Sequence, residues 1–304
     1  MAKLSAVKTV ARLLRVPQWV KSGFVFAPLI FSERLADPGA VWDAAVVAGA
    51  LSMFSSSIYI MNDLMDAPRD RKHPAKRHRP IASGEVSALA AATIAGALVL
   101  AGYGLLWAVS AAPPVWWLAT GFLALNVAYT FYLKHKVIAD VLTIAIGYVL
   151  RVLAGAAAIQ VEVSDWLLIC TFLLAIFLGF SKRRHELAEL GEGSTAHRHV
   201  LHLYSEEFLD RMSMLTLSIT VTCYILYTRS PDTIARFGTH GLVYSSLIVL
   251  FAMFRYLFLI HVKRLGSPTE MFYADRQIVM AVVAWVLYIV VVIYTWPALF
   301  GSRP

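Results

Sequence analysis

The sequence predicts an all-α, polytopic membrane protein, and three observations predict it. The 304-residue chain is 59% hydrophobic and 15% charged, where an average soluble domain carries about 25% charged residues. Its mean hydropathy is +0.66, and its apolar residues gather in runs of about 20, the length of a bilayer-spanning helix. Its basic residues alternate sharply between successive connections. Disorder, a coiled coil and an ordinary soluble enzyme are excluded.

Nine apolar segments can be drawn, at about 22–41, 43–61, 86–109, 113–133, 137–160, 165–181, 208–228, 239–261 and 277–299. They form one integral membrane domain over 1–304. The first is interrupted by Pro28 and Glu33. Ahead of it, Met1 to Lys21 holds five basic residues and no apolar run before Phe24, unlike a cleaved signal peptide. Lys3, Lys8, Arg12 and Arg15 there suit a short helix lying on an anionic membrane surface. Trp19 and other interfacial aromatics suit anchoring. Two connections, 62–85 and 182–207, are long enough to cap a site.

Of the 27 Lys and Arg, twenty-one fall on one side of this alternation. Only Arg34, Arg229, Arg236 and Arg303 fall on the other, and Arg151 and Arg255 lie within spans. The bias predicts a multi-pass protein of the cell (inner) membrane, N-terminus cytoplasmic and C-terminus outside. The formal net charge of +8 is thereby assigned to orientation and to phosphate or anionic lipid, not to nucleic acid. Cys170 and Cys223 sit in apolar runs without metal or disulfide spacing. The cluster His197, His199 and His202 reads as a solvated loop rather than a metal site.

The chemistry-bearing stretch follows the second segment. Asp63, Asp66 and Asp70 are spaced i, i+3, i+7, which puts three carboxylates on one helical face. Like charges so placed repel unless a cation lies among them. Hard oxygen ligands at a membrane surface suit Mg²⁺, which keeps some waters and bridges to substrate phosphates. Asn62 adds a neutral oxygen. Pro68 is expected to distort this helix end and splay Asp70 away. A basic run follows at once: Arg69, Arg71, Lys72, Lys76, Arg77 and Arg79, with His73 and His78 between them. It can be topogenic charge. Carboxylates followed by guanidinium groups also match a metal-diphosphate site, in which arginine takes the remaining oxygens in bidentate fashion. Pro80 and Gly84 then turn the chain.

The pattern Asn62-Asp63-xx-Asp66-xxx-Asp70 resembles the first Asp-rich motif of the UbiA superfamily of intramembrane prenyltransferases. The resemblance runs over almost the whole chain. It tightens toward one branch through Pro17 to Lys21, His73 to Gly84, Leu133-Lys134-His135 with Asp140, Tyr148 to Gly155, and Ser181 to Leu187. That branch moves a 5-phosphoribosyl group from phosphoribosyl pyrophosphate (PRPP) to a polyprenyl (decaprenyl) phosphate. The resemblance implies nine helices around a central, cytoplasm-facing cavity, and a product that feeds arabinan-type glycans of the cell envelope. It implies that Asn62, Asp63 and Asp66, with Asp70, hold Mg²⁺ and carry catalysis.

The chain departs from prenyl-diphosphate-using members after the sixth segment. Where they carry a second Asp-rich motif, it reads Ser181-Lys182-Arg183-Arg184-His185-Glu186. Positive charge there suits direct phosphate contact by Lys182 and Arg183. A helix-end marker, or an i, i+4 pair of Lys182 with Glu186, is the plainer reading. Arg151 lies deep in a span, where ionisable groups usually face a cavity; an ion pair with Asp140 is the alternative. Lys21, Arg77, Arg79, Lys134, Glu186 and Arg255 complete the candidate substrate contacts, with Asp140 placed for a ribose hydroxyl. Transfer of a prenyl group to an aromatic or other acceptor is the competing activity, and it calls for the missing second motif. A transporter or lipid-binding protein would explain the spans but not the acidic and basic cluster. Helix faces rich in Ala and Gly suit a homo-oligomer.

Overall fold

The computed structural model describes residues 2–72, 76–109, 112–189, 199–263 and 268–300. Every regular element among them is helical. Besides short 3-10 turns at Lys76–His78, Leu133–His135, His199–Leu203 and Gly241–Tyr244, they are α1 (Ala2–Leu14), a 3-10 helix Val16–Phe26, α2 (Ala27–Phe31), α3 (Pro38–Asp70), α4 (Ala88–Ala108) and α5 (Pro113–Phe131). Then come α6 (Ala139–Ala158), α7 (Asp165–Glu189), α8 (Glu206–Arg229), α9 (Pro231–Phe237), α10 (Ser245–His261), α11 (Pro268–Ala274) and α12 (Arg276–Phe300).

Helix starts follow local chemistry. Pro38 opens α3 behind Asp37, whose Oδ1 accepts from the amides of Gly39 (2.9 Å) and Ala40 (3.2 Å). Ser87 and Ser205 cap α4 and α8 in the same way. Within spans, hydroxyls of Ser52, Ser55, Thr216 and Thr220 donate to carbonyls one turn back, which satisfies them without water.

Among the described residues, seven helical stretches are long and apolar enough to cross a membrane: α3, α4, α6, α7, α8, Gly241–His261 and most of α12. That is fewer than the nine expected. α5 and the stretch 16–31 occupy the places of the other two. The first expected segment, 22–41, is also redrawn. The chain runs as a 3-10 helix and then the short α2, breaks at Glu33 (φ 60°), and starts α3 at Pro38. Residues 38–41 thus belong to the next helix. Two expected cap loops shorten likewise. α3 continues nine residues past Met61 to Asp70, with Pro68 inside it, and α7 continues to Glu189. His73, Pro74, Ala75, His197 and Arg198 lie outside the described residues, and His202 is exposed.

α3 is the most buried of the seven stretches and α4 the least. Around α3 pack α4, α5, α6 and the 3-10 helix, and α6, α7, α8, α10 and α12 follow as successive neighbours. The circuit closes where Tyr294 of α12 accepts from the Leu35 amide (3.0 Å) and Tyr273 donates to the Pro17 carbonyl (3.4 Å). The 3-10 helix is seated by a close backbone approach. A Cβ built on Gly155 of α6 would lie 2.1 Å from the Val25 carbonyl oxygen. Gly155→Ala should therefore cost about 1–3 kcal/mol through overpacking. Gly96→Ala, on an open helix face with nothing within 4 Å, should cost nothing. Thermal unfolding of the two variants in detergent compares them directly.

Candidate functional site

One cavity of about 260 Å³ opens at the end of the bundle that carries the basic connections. The end of α3 supplies one wall through Asn62, Asp63, Asp66 and Asp70. α6 supplies another wall through Thr143, Gly147, Tyr148 and Arg151, which recur at helical spacing. Lys21 enters from the 3-10 helix and Lys182 from α7. The basic lining residues Arg15, Lys21, Arg69, Lys76, Arg79, Arg151 and Lys182 outnumber the three aspartates. The cavity is shaped for a polyanion that also needs an acidic seat.

The acidic wall is held by guanidinium groups. Asp63, 3% exposed, accepts from Arg15 (2.5 Å) and Arg79 (3.0 Å). The same Arg79 nitrogen donates to Asp70 at 2.7 Å. Asp70 is therefore not splayed from Asp63. The helix passes through Pro68, and the shared arginine draws the two carboxylates together. Asp66 has the Lys134 ammonium 3.9 Å away.

The deeper wall is cationic. Arg151 is buried and donates to the Gly147 carbonyl (3.0 Å) and to Ser55 Oγ (3.1 Å). Its guanidinium lies 4.4 Å from the centre of the Phe122 ring. Its Nε has no hydrogen-bond partner among the described residues. Asp140, the alternative partner, bonds elsewhere. Lys21 Nζ reaches the Tyr59 hydroxyl at 3.4 Å, and Lys182 has Glu186 3.8 Å away, the simple i, i+4 pair.

Of the candidates, the cavity gathers Lys21, Asn62, Asp63, Asp66, Asp70, Arg79, Arg151 and Lys182. Others lie apart. Arg183 is fully buried and bonds Asp140 (2.7 Å), Tyr129 (3.0 Å) and Glu186, so both it and Asp140 face the protein interior. Arg77 points outward and donates to His78 at 3.2 Å. Arg255 pairs with Asp275 at 2.6 Å and does not line the cavity. Its hydrogen bond holds the Asp275 carboxyl below the usual range. Sequence reading passed over Arg15, Gln18, Tyr59, Asn126 and Tyr129 as cavity residues. Arg15 lay among charges assigned to the membrane surface, and the others carry no signal without a partner.

Among the described residues no three His, Cys, Asp or Glu form a ready-made metal cage. The four oxygen-bearing residues on the α3 wall nonetheless suit Mg²⁺, which binds through one or two carboxylates and completes its shell with water and phosphate oxygens.

Residues 23–275 match the UbiA prenyltransferase family. The chain is 30% identical over 302 residues to a decaprenyl-phosphate phosphoribosyltransferase of Mycolicibacterium smegmatis, covering 95% of this chain and 93% of that protein. It is 29% identical over 295 residues to the protein of the same name from Corynebacterium glutamicum, covering 94% and 87%. The structure of a UbiA homolog from Archaeoglobus fulgidus bound to GPP and Mg²⁺ superposes with a TM-score of 0.68 over 94% of this chain and 99% of that one. At 17% identity, that likeness is one of fold.

The shared arginine makes a direct prediction. Arg79→Gln removes the donor common to Asp63 and Asp70 and should destabilise the protein by up to about 3 kcal/mol. Adding Asp70→Asn should recover part of that loss. A double-mutant cycle on unfolding free energy reads the coupling, and strict additivity would refute the shared clamp.

Proposed function

We propose that this chain, which belongs to the UbiA prenyltransferase family, transfers a 5-phosphoribosyl group from PRPP to a polyprenyl (decaprenyl) phosphate and releases diphosphate. The product would supply pentose for arabinan-type glycans of the cell envelope. The observation that carries the reading is the sign of the cavity walls. Besides the α3 carboxylates, the cavity is lined by Lys21, Arg151 and, at the end of α7 where a prenyl-diphosphate enzyme would need a second acidic motif, Lys182. The two relatives named above are decaprenyl-phosphate phosphoribosyltransferases, which supports it.

Two polyanions must meet at one carbon. Asn62, Asp63, Asp66 and Asp70 would hold Mg²⁺, whose Lewis acidity neutralises the diphosphate leaving group. Arg79 and Arg15, already on the carboxylates, and the lining Arg69 supply donors for the remaining phosphate oxygens. As the C1′–O bond to diphosphate breaks, its electron pair leaves with diphosphate and C1′ gains oxocarbenium character. An oxygen of the lipid phosphate forms the new bond. That oxygen is already anionic at neutral pH, since the second phosphate pKa is about 6, so no general base is required. Lys21, Arg151 and Lys182 would offset the repulsion between donor and acceptor. A single displacement inverts C1′. The basic end of the bundle would face the cytoplasm, with the N-terminus there and the C-terminus outside.

The test uses the purified protein with Mg²⁺, PRPP and decaprenyl phosphate, following pyrophosphate release and labelled lipid. Asp63→Asn and Asp66→Asn should each lower the rate by about 100-fold or more. Full Mg²⁺-dependent transfer by either variant would sink the reading. A prenylated product formed from geranyl diphosphate without PRPP would favour the prenyl-transfer alternative, and no turnover of either kind would favour a transporter. Arg151→Ala should raise the KM for a phosphorylated substrate by about tenfold, the loss of one charged hydrogen-bonding group.

A further inference from the structure

Tyr204 lies just after the 3-10 turn His199–Leu203 and does not line the cavity. It is 5% exposed. Its hydroxyl accepts from the Ile138 backbone amide at 2.6 Å and donates to Asp140 Oδ1 at 2.8 Å. Burial, with Asp140 alongside, pushes its pKa up, so it keeps the proton it donates. The other Asp140 oxygen accepts from Arg183 Nε at 2.7 Å, and Arg183 Nη2 donates to the Tyr129 hydroxyl at 3.0 Å. Asp140 and Arg183 are both fully buried. One hydroxyl thus joins the segment before α8 to the α5–α6 turn and, through two further side chains, to a cavity residue.

The turn needs such a hold. Ile138 has φ 67° and ψ −45°, a backbone conformation that a β-branched residue adopts only when its surroundings impose it. The same turn carries Lys134, buried and 3.9 Å from Asp66. If Ile138 relaxes, the backbone that presents Lys134 to the acidic wall relaxes with it.

We propose that Tyr204 is a positioning residue: its hydroxyl fixes the 132–140 turn, sets Lys134 against Asp66, and through Asp140 and Arg183 holds Tyr129 at the cavity. Its hydrogen bonds, and not its ring, do this. The kinetic consequence rests on the phosphoribosyl-transfer reading, whereas the structural consequence does not.

Tyr204→Phe in the full-length protein tests both. Hydrogen–deuterium exchange without substrate should quicken in the 132–141 peptide by roughly tenfold, the factor expected for about one lost hydrogen bond, and should stay unchanged in α3 and α12. With PRPP and decaprenyl phosphate, the KM for PRPP should rise roughly fivefold while kcat falls less than twofold. Lys134→Ala should produce a similar KM rise, and Tyr204→Phe should add to it less than its full effect in the wild type, the remainder passing through Asp140, Arg183 and Tyr129. Unchanged exchange, or additive KM effects, overturns the proposal. If the wild-type protein turns over no PRPP, the transferase reading fails and the exchange experiment alone decides the clamp. Should Tyr204→Phe not fold, Ile138→Gly removes the strain. In that background Tyr204→Phe should fold and quicken exchange only at residue 138, whose amide loses its acceptor; a failure to fold, or faster exchange throughout 132–141, counts against the clamp.

Discussion

Asp63 lies at the polar end of the most buried helix, 3% exposed, between two guanidinium groups. A carboxylate in so little water is tolerated only when its charge is answered nearby. Much of the architecture at this end of the bundle follows from that constraint. α3 stays helical to Asp70 because Arg79 joins its last two buried carboxylates. The basic stretch folds back over the helix end because the charge it answers lies there. Arg15 ties the N-terminal helix to the same point, with its guanidinium also 4.8 Å from the centre of the Tyr59 ring.

The same constraint sorts the three adjacent cations of α7. Successive helical residues point about 100° apart. Lys182 therefore faces the cavity, Arg183 points inward to Asp140, Glu186 and Tyr129, and Arg184 reaches Glu206 and Asp210 of α8. In sequence the three read as one basic patch. In three dimensions one is a ligand candidate, one a buried strut and one an interhelical tie.

This explains what the sequence revealed and what it withheld. Hydropathy located most spans to within a few residues, because burial in lipid leaves an unambiguous apolar run. It misplaced the first, because Pro28 and Pro38 each open a new helix and Glu33 breaks the chain between them. The i, i+3, i+7 aspartates were legible because helical periodicity alone puts them on one wall, and Pro68 was misjudged because Arg79 counters the splaying. Arg151 was legible from its depth. Asp140 and Arg183 were not separable from substrate contacts, because a buried ion pair and an anion seat use the same residue types. Only the partner across 43 residues of chain tells them apart.

The cavity, finally, is neither acidic nor basic throughout, and that division bears on the chemistry. An acidic wall alone would gather metal but repel a second phosphate. A basic wall alone would bind both substrates yet give the leaving diphosphate no more help than the incoming phosphate. Carboxylates on α3, sharing the cavity with Lys21, Arg151 and Lys182, would on the proposed reading distinguish the two ends of a substrate carrying phosphate at both. The end that must depart would go to the residues able to hold a divalent cation, and the end that must stay would go to fixed side-chain charge. A prenyl diphosphate has one charged end and an apolar tail, so it would leave the buried Arg151 without an anion. A donor phosphorylated at both ends would use both groups of charge, as the proposed reading requires.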